Sequence, residues 1–382
     1  MCGEYGVYSP HIMHRLTNYI HQLATWPNFK WDHEKLAKPL AEVRHRQGRL
    51  IGRMENIGFT LRAEATLQTL TLDVLKSSEI EGEILNADQV RSSIARRLGM
   101  EIAGLIPADR HVEGVVEMMI DATQQYDKPL TDERLFNWHA ALFPTGRSGM
   151  HKIVVGGWRT NAEDDPMRVV SGPLGNEKVH FVAPDVDILQ NEMQLFLDWF
   201  NNIDDADPVI KAAIAHLWFV TIHPFDDGNG RIARAITDMQ LSRADGSAQR
   251  FYSMSAQIRK ERKEYYDTLE ATQKGNLDIT NWILWFFECL ERALIEVDQT
   301  LGSIMHKARF WERNNETVLN ERQKGMLNKL LTQFEGKLTT SKWAKMAKCS
   351  QDSALRDIQD LVSKGILVKE EGGGRSTNYI LK

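Results

Sequence analysis

Apolar residues recur at helical spacing along most of this chain. Ala65, Leu67, Leu70, Leu72 and Leu75 share a helix. Asp187–Phe200 carries Ile188, Leu189, Met193, Leu195, Phe196 and Trp199 in the same rhythm. Ala212–Val220 is apolar, with aromatics, and reads as a buried helix. Ile232, Ala233, Ile236, Met239 and Leu241 mark another helix, and Tyr265, Tyr266 and Leu269 mark one over Lys263–Gln273. Gly275-Asn276 breaks the pattern before Ile279–Glu296 resumes it with Trp282, Leu284, Trp285 and Phe286. Near the start, Phe29 and Trp31 alternate like a short strand. Pro39–Leu61 then reads as one long helix with Pro39 in its first turn, although Gly48, Gly52 and Gly58 weaken it.

Two further stretches read as strands. Met167–Gly172 and Val179–Ala183 predict a hairpin around a Gly175-Asn176 turn. At the C-terminus the chain turns polar around Asp298–Asn320. Helices then follow at Arg322–Leu331, Thr340–Ala347 and Ser350–Lys364. Ile366–Val368 and Asn378–Leu381 flank Gly372-Gly373-Gly374 as strand, loop and strand. That order resembles a winged helix-turn-helix, with Ser350, Gln351, Ser353, Arg356 and Arg375 at the reading positions. Residues 311–382 hold 13 Lys and Arg against 9 Asp and Glu, net +4, in a chain of net charge −5. The excess is modest, and Asp352 and Asp357 lie on or near the reading helix. DNA and protein both remain open as the partner of this segment.

The candidate chemistry is concentrated in His223-Pro224-Phe225-Asp226-Asp227-Gly228-Asn229-Gly230-Arg231-Ile232-Ala233-Arg234. Pro224 disfavours the α region at His223, so the preceding helix stops there. Gly228-Asn229-Gly230 supplies residues that tolerate positive φ and lets a ligand approach the backbone. The turn feeds a helix N-terminus, where free N–H groups and the helix dipole favour an anion, above all a phosphate. Arg231 and Arg234 share a face at that end and suit phosphate oxygens. Asp227 would sit badly beside phosphates without a hard cation between them, and Mg²⁺ fits. His223, at the other end of the turn, is placed to accept a proton from a hydroxyl.

This run resembles the Fic family signature His-Pro-Phe-x-Asp/Glu-Gly-Asn-Gly/Lys-Arg-x-x-Arg at every defined position. The resemblance implies transfer of AMP from ATP to a Ser, Thr or Tyr hydroxyl of a protein. It makes His223 the base and Asp227 the Mg²⁺ ligand. Gly228, Asn229 and Gly230 would form the anion hole, and Arg231 and Arg234 would hold the β- and γ-phosphates. Glycine at 230, where related kinases carry Lys, favours AMP transfer over phosphate transfer. Upstream, Ser77-x-x-x-Glu81-Gly82 resembles the family's inhibitory Ser/Thr-x-x-x-Glu-Gly/Asn motif. That implies a Glu81–Arg234 pair which denies the γ-phosphate its arginine. The predicted hairpin corresponds to a flap that aligns the target by strand addition, with His180 an ordinary hairpin residue. A tyrosine near the adenine is also implied, with Tyr265 and Tyr266 as candidates.

The expectation is a mainly α chain with three parts. An N-terminal helical region, 1–104, carries the inhibitory helix. A Fic core with its hairpin flap spans 105–300, and a winged helix spans 311–382. ATP is the substrate and Mg²⁺ the cofactor. The partners implied are an unidentified target protein, the chain itself as target or homodimer mate, and DNA or protein at 311–382. Cys2, Cys289 and Cys349 are few, odd in number and dispersed, which suits neither a disulfide framework nor zinc. His216 and His223 lack the company that zinc needs. No leader or long apolar run stands out, so a cytoplasmic protein and no membrane are expected. Competing readings are use of another nucleotide such as UTP, removal of AMP from a modified protein with Glu81 positioning water, and a DNA-binding regulator that only senses nucleotide.

Overall fold

The computed structural model describes residues 19–55, 58–100, 105–160, 166–172, 178–202, 206–314, 317–331, 334, 336–370 and 377–382. Among these it forms fourteen α-helices and three two-stranded antiparallel sheets. The first helices are α1 (His33–Glu55), α2 (Phe59–Ile80), α3 (Ala87–Arg97), α4 (Arg110–Gln124) and α5 (Asp132–Leu142). Two hairpins follow, β1 (Arg147–Ser148) with β2 (His151–Lys152) and β3 (Arg168–Ser171) with β4 (Lys178–Val182). Next come α6 (Val186–Asn201), α7 (Pro208–Ile222), α8 (Asn229–Asp245), α9 (Met254–Lys260), α10 (Arg262–Gln273) and α11 (Thr280–Arg313). The remainder is α12 (Glu321–Leu330), α13 (Thr340–Ala347), α14 (Gln351–Ser363), β5 (Leu367–Lys369) and β6 (Tyr379–Leu381). Contacts divide the chain into two units, Met1–Leu294 and Ile295–Lys382. Among the described residues no helix is long and apolar enough to cross a membrane.

The first unit is built around α7 and α8. Every residue of α7 from Val209 to Ile222 is buried, as a helix apolar on all sides must be. Asp207 caps it by accepting from the Val209 N–H at 2.8 Å, with Pro208 at the first helical position. α8 packs along α7, and α2 packs on α9 and α3 while also reaching α8. α2 is further tied to α8 through buried charge. Arg250, fully buried, donates to Asp238 of α8 at 2.8 Å. Asp73 of α2 accepts from the Ser253 hydroxyl beside it. Burial and the neighbouring Asp238 push the Asp73 carboxyl well above the usual range. Tyr252 donates to Asp245 at 2.7 Å, and Gln47 of α1 donates to Asp245 at 2.9 Å.

Several expected boundaries move. Pro39 does not start α1. Asp32 accepts from the Glu34 and Lys35 N–H groups at 3.1 Å, so the helix begins at His33 and Pro39 lies inside it. The Pro39–Leu61 run is two helices, because α1 ends at Glu55 and Gly58 caps α2. The strand read at Phe29 and Trp31 is a single bridge between Lys30 and Asp278. The polar stretch after Asp298 continues α11 to Arg313, since nothing in it breaks a helix. The Gly175-Asn176 turn of the flap, and Gly372–Gly374 with Arg375, lie outside the described residues.

In the second unit, α12, α13 and α14 enclose Met326, Leu327, Trp343, Ile358 and Leu361, and the β5–β6 hairpin adds Leu367. Asn320 and Gln323 cap α12 reciprocally, and Ser350 caps α14. Asp357 does not face outward. It takes two bonds from the Arg322 guanidinium and one from Asn320.

The Arg250 network predicts a large effect from one substitution. Arg250→Met would leave the Asp73 and Asp238 carboxyls without their cation and should lower the unfolding free energy by about 3–5 kcal/mol. Chemical denaturation measures it, and an unchanged midpoint would show that Arg250 neutralises nothing.

Candidate active site

Three backbone devices shape the loop between α7 and α8. His223 caps α7 in the left-handed region, at φ 53°, and its N–H closes on the Phe219 carbonyl at 3.0 Å. Gly228 stands at φ 82°, where a Cβ would also meet the Phe143 ring at 2.9 Å. Asn229 staples the turn: its side chain accepts from the Phe225 N–H at 3.0 Å and donates to the Phe225 carbonyl at 2.8 Å. Of Gly228, Asn229 and Gly230, positive φ is therefore needed at Gly228 alone, because the other two already belong to α8. The first helical bond runs from Ile232 N–H to Gly228 carbonyl at 3.0 Å. The N–H groups of Asn229, Gly230 and Arg231 lie ahead of it at the positive end of the helix.

Arg159 fixes the loop from outside. Its N–H donates to the Pro224 carbonyl at 2.9 Å and its Nε to the His223 carbonyl at 2.8 Å. Its Nη2 reaches the Pro184 carbonyl, and the residue is only 1% exposed. Sequence reasoning passed over it, because a lone buried arginine leaves no pattern to find. The His223 ring has its Nδ1 facing the Val220 carbonyl at 3.3 Å. That oxygen only accepts, so Nδ1 carries the proton and Nε2 keeps its lone pair. Burial lowers the His223 pKa to about 4. His139 stacks on Phe225 with centroids 4.2 Å apart and faces the Asp227 carbonyl at 3.2 Å. Burial also lowers its pKa to about 4.

Asp227 turns one oxygen to the Gly228 N–H at 2.6 Å, and the other accepts from the Ser148 hydroxyl. Among the described residues no three His, Cys, Asp or Glu side chains converge as a metal site. A single carboxylate beside a hydroxyl suits a cation that draws most of its ligands from phosphates and water.

Both arginines are buried and both meet carboxylates from one loop. Arg234 is 2% exposed. Its Nε donates to Ser77 Oγ at 2.9 Å, and its Nη2 donates to the Ser77 carbonyl at 2.9 Å and to Glu81 Oε1 at 2.8 Å. Burial opposes its charge, but the Glu81 carboxylate holds its pKa above the ordinary value. Arg231 lies over the Phe143 ring and donates to Glu83 Oε2 at 2.7 Å. Glu83 also meets His111 at 3.2 Å. Those bonds hold the Glu83 carboxyl below its usual range and raise the His111 pKa. Glu83 and His111 carry no motif and escaped the sequence. Arg234 Nη1 and Arg231 Nε are buried donors without a protein partner. Ser77, Glu81 and Gly82 thus form the end of α2 and its turn, with Gly82 at φ 86°.

The two candidate tyrosines part. Tyr265 is buried, and its hydroxyl bonds His216 Nε2 at 2.8 Å inside the core. Tyr266 is 37% exposed beside Arg262. Of the pair, only Tyr266 presents a ring to an incoming base.

Residues 129–241 of this chain match the Fic/DOC family. The chain carries a Fic/DOC family domain. That domain contains the whole run from His223 to Arg234. Residues 19–100 match a domain of unknown function, DUF4172. Among curated proteins, the Fic domain and its surroundings are similar to a protein adenylyltransferase Fic of Aedes aegypti, 28% identical over 229 residues, covering 58% of this chain and 40% of that protein. Protein adenylyltransferase fic-1 of Caenorhabditis elegans is 29% identical over 215 residues, covering 55% and 38%. The chain thus spans about two fifths of the length of these relatives. A crystal structure of a Fic family protein from Desulfovibrio desulfuricans G20 shares the fold at 19% identity and a TM-score of 0.51, covering 91% of this chain and 96% of that one.

The site's tightest contact gives a structural prediction. A methyl group on Gly230 would stand 2.3 Å from Glu81 Oε1. Gly230→Ala should therefore expel Glu81 from Arg234, lower stability by about 1–3 kcal/mol and speed amide exchange at residues 78–83. Wild-type exchange there would show that the pair tolerates a side chain at 230.

Proposed function

We propose that this chain transfers AMP from ATP to a hydroxyl side chain of a protein, and that Glu81 holds the reaction down. The observation that carries the reading is the convergence of His223, Asp227, the α8 N-terminus and two buried arginines on one turn. A triphosphate suits that set. The helix N-terminus and the unpartnered arginine donors favour phosphate oxygens. Asp227 would hold Mg²⁺, which would neutralise phosphate charge when bound. The target oxygen would attack the α-phosphorus, diphosphate would leave, and the hydroxyl proton would pass to His223 Nε2. Phosphate charge nearby would also lift the His223 pKa from the low value that burial gives it. The curated names of the similar proteins support the same reaction. Tyr266, by its exposure, is the better candidate for the adenine.

Inhibition would act on charge. Arg234 already has a carboxylate partner, so a γ-phosphate must displace Glu81 before it can bind there. Glu83 would do the same at Arg231. The β3–β4 hairpin would serve as the flap that receives the target strand. In the second unit, the inward turn of Asp357 leaves Gln351 and Arg356 exposed on α14. That supports a docking role for a winged helix, toward nucleic acid or protein.

Glu81→Gly should raise AMP transfer by about tenfold or more, equivalent to about 1.4 kcal/mol of productive binding. Adding Arg234→Ala should erase the gain. Labelled ATP in a lysate measures both, and equal activity of wild type and Glu81→Gly at all ATP concentrations would remove Glu81 as an inhibitor.

In the Glu81→Gly background, His223→Ala should keep ATP affinity and lose transfer by about 10²-fold or more. Asp227→Ala should instead weaken Mg²⁺-dependent ATP binding. Calorimetry separates the two, and transfer at an undiminished rate in His223→Ala would strip His223 of its role.

A further inference from the structure

A second constellation lies on the flap, outside the site described above. Ser171 Oγ meets His180 Nε2 at 2.6 Å, and His180 Nδ1 meets Glu270 Oε2 at 2.6 Å. The three residues come from β3, β4 and α10, so the fold and not local sequence brings them together.

The register of the hairpin shows how His180 gets there. Val169 pairs with Phe181, and Val170 pairs with Val179. His180 therefore has no residue opposite it and is the extra residue of a β-bulge. Phe181 stays buried against Tyr19 on the core side. The bulge lets its neighbour turn back over Ser171 while still reaching α10. Glu270 also binds Lys274 at 2.5 Å. Partial burial pushes the Glu270 carboxyl up, but its bonds to Lys274 and His180 hold it below the usual range. An ionised carboxylate can only accept, so His180 carries its proton on Nδ1. Nε2 then presents a lone pair, and the Ser171 hydroxyl donates to it. Serine, imidazole and carboxylate stand in the order that activates a hydroxyl as nucleophile.

Ser171 is exposed at the end of β3. An exposed serine on a two-stranded hairpin suits a macromolecule as the reacting partner better than an enclosed small substrate. The transfer proposed above consumes protein hydroxyls, and this inference rests on that reading. We propose that Ser171 is an AMP acceptor, modified by the active site of a second copy of this chain. Its Oγ forms a bond to the α-phosphorus of ATP. The bond from that phosphorus to the bridging oxygen breaks, and diphosphate leaves with the electron pair. The hydroxyl proton passes to His223 Nε2 of that second copy, while His180, fixed by Glu270, positions the Ser171 oxygen for attack. AMP on Ser171 would end its bond to His180 and place a charged nucleotide on the flap edge, where the target strand would dock.

The test uses the full chain. Glu81→Gly protein is incubated with ATP and Mg²⁺ and mapped by peptide mass spectrometry. One adenylyl group on Ser171 is expected, absent from Glu81→Gly/Ser171→Ala. Mixing Glu81→Gly/Ser171→Ala as enzyme with His223→Ala as acceptor should label the His223→Ala chain. In the Glu81→Gly background His180→Gln should slow labelling of Ser171 by roughly 10²-fold, leave ATP affinity unchanged and leave transfer to lysate proteins at the Glu81→Gly rate. AMP found only elsewhere, or equal labelling of Ser171 in His180→Gln, overturns the proposal. If Glu81→Gly labels lysate proteins but never Ser171, this inference fails alone. If it labels nothing, the transfer reading fails and this one with it.

Discussion

A guanidinium almost without access to water governs this molecule. Arg234 projects from α8 into the centre of the first unit, where an uncompensated charge would be strongly destabilising. Ser77 and Glu81, at the end of α2, supply the compensation. The last turn of α2 and the first turn of α8 are thus mutually dependent. Arg231 repeats the arrangement one turn earlier, with Glu83 as its partner. Any anion that takes over these arginines must also displace the carboxylates of residues 81 and 83.

The loop around His223 is prepared before any ligand arrives. Left-handed backbone at His223 and Gly228, the Asn229 staple and the Arg159 clamp fix it from four directions. Asn229 and Arg159 act by bonding buried backbone carbonyls and, for Asn229, an N–H, which ties the turn down at several points. Gly230 serves a different purpose. Its missing side chain leaves room for Glu81, which a Cβ at that position would meet at 2.3 Å. The flap obeys a related logic: the bulge that disturbs its ladder sends Phe181 inward and His180 toward α10.

The helices, the flap strands and the active-site run were legible in order because they rest on local periodicity and on residues adjacent in sequence. α7 is apolar apart from Lys211, His216 and Thr221, and β3 and β4 carry the valines and phenylalanine that strands favour. Where local signals competed, the reading slipped. Asp32 capped α1 earlier than Pro39 suggested, and α11 ran on through a polar stretch that contains no breaker.

By itself the sequence determined a mainly helical chain, the turn from His223 to Arg234, and the charge types gathered there. Tertiary structure decided the partners, of which only the Glu81–Arg234 pair had been implied, and that by family resemblance and not by any local pattern. It brought Ser77 and Glu81 to Arg234 across roughly 150 positions of chain. It set Glu83 and His111 against Arg231, sent Tyr265 to the core and left Tyr266 outside. It also assembled Ser171, His180 and Glu270 from three elements. The reason is physical. Helix and strand periodicity is written within a few residues, whereas the neutralisation of a buried charge depends on whatever side chain the packed fold carries within about 3 Å of it.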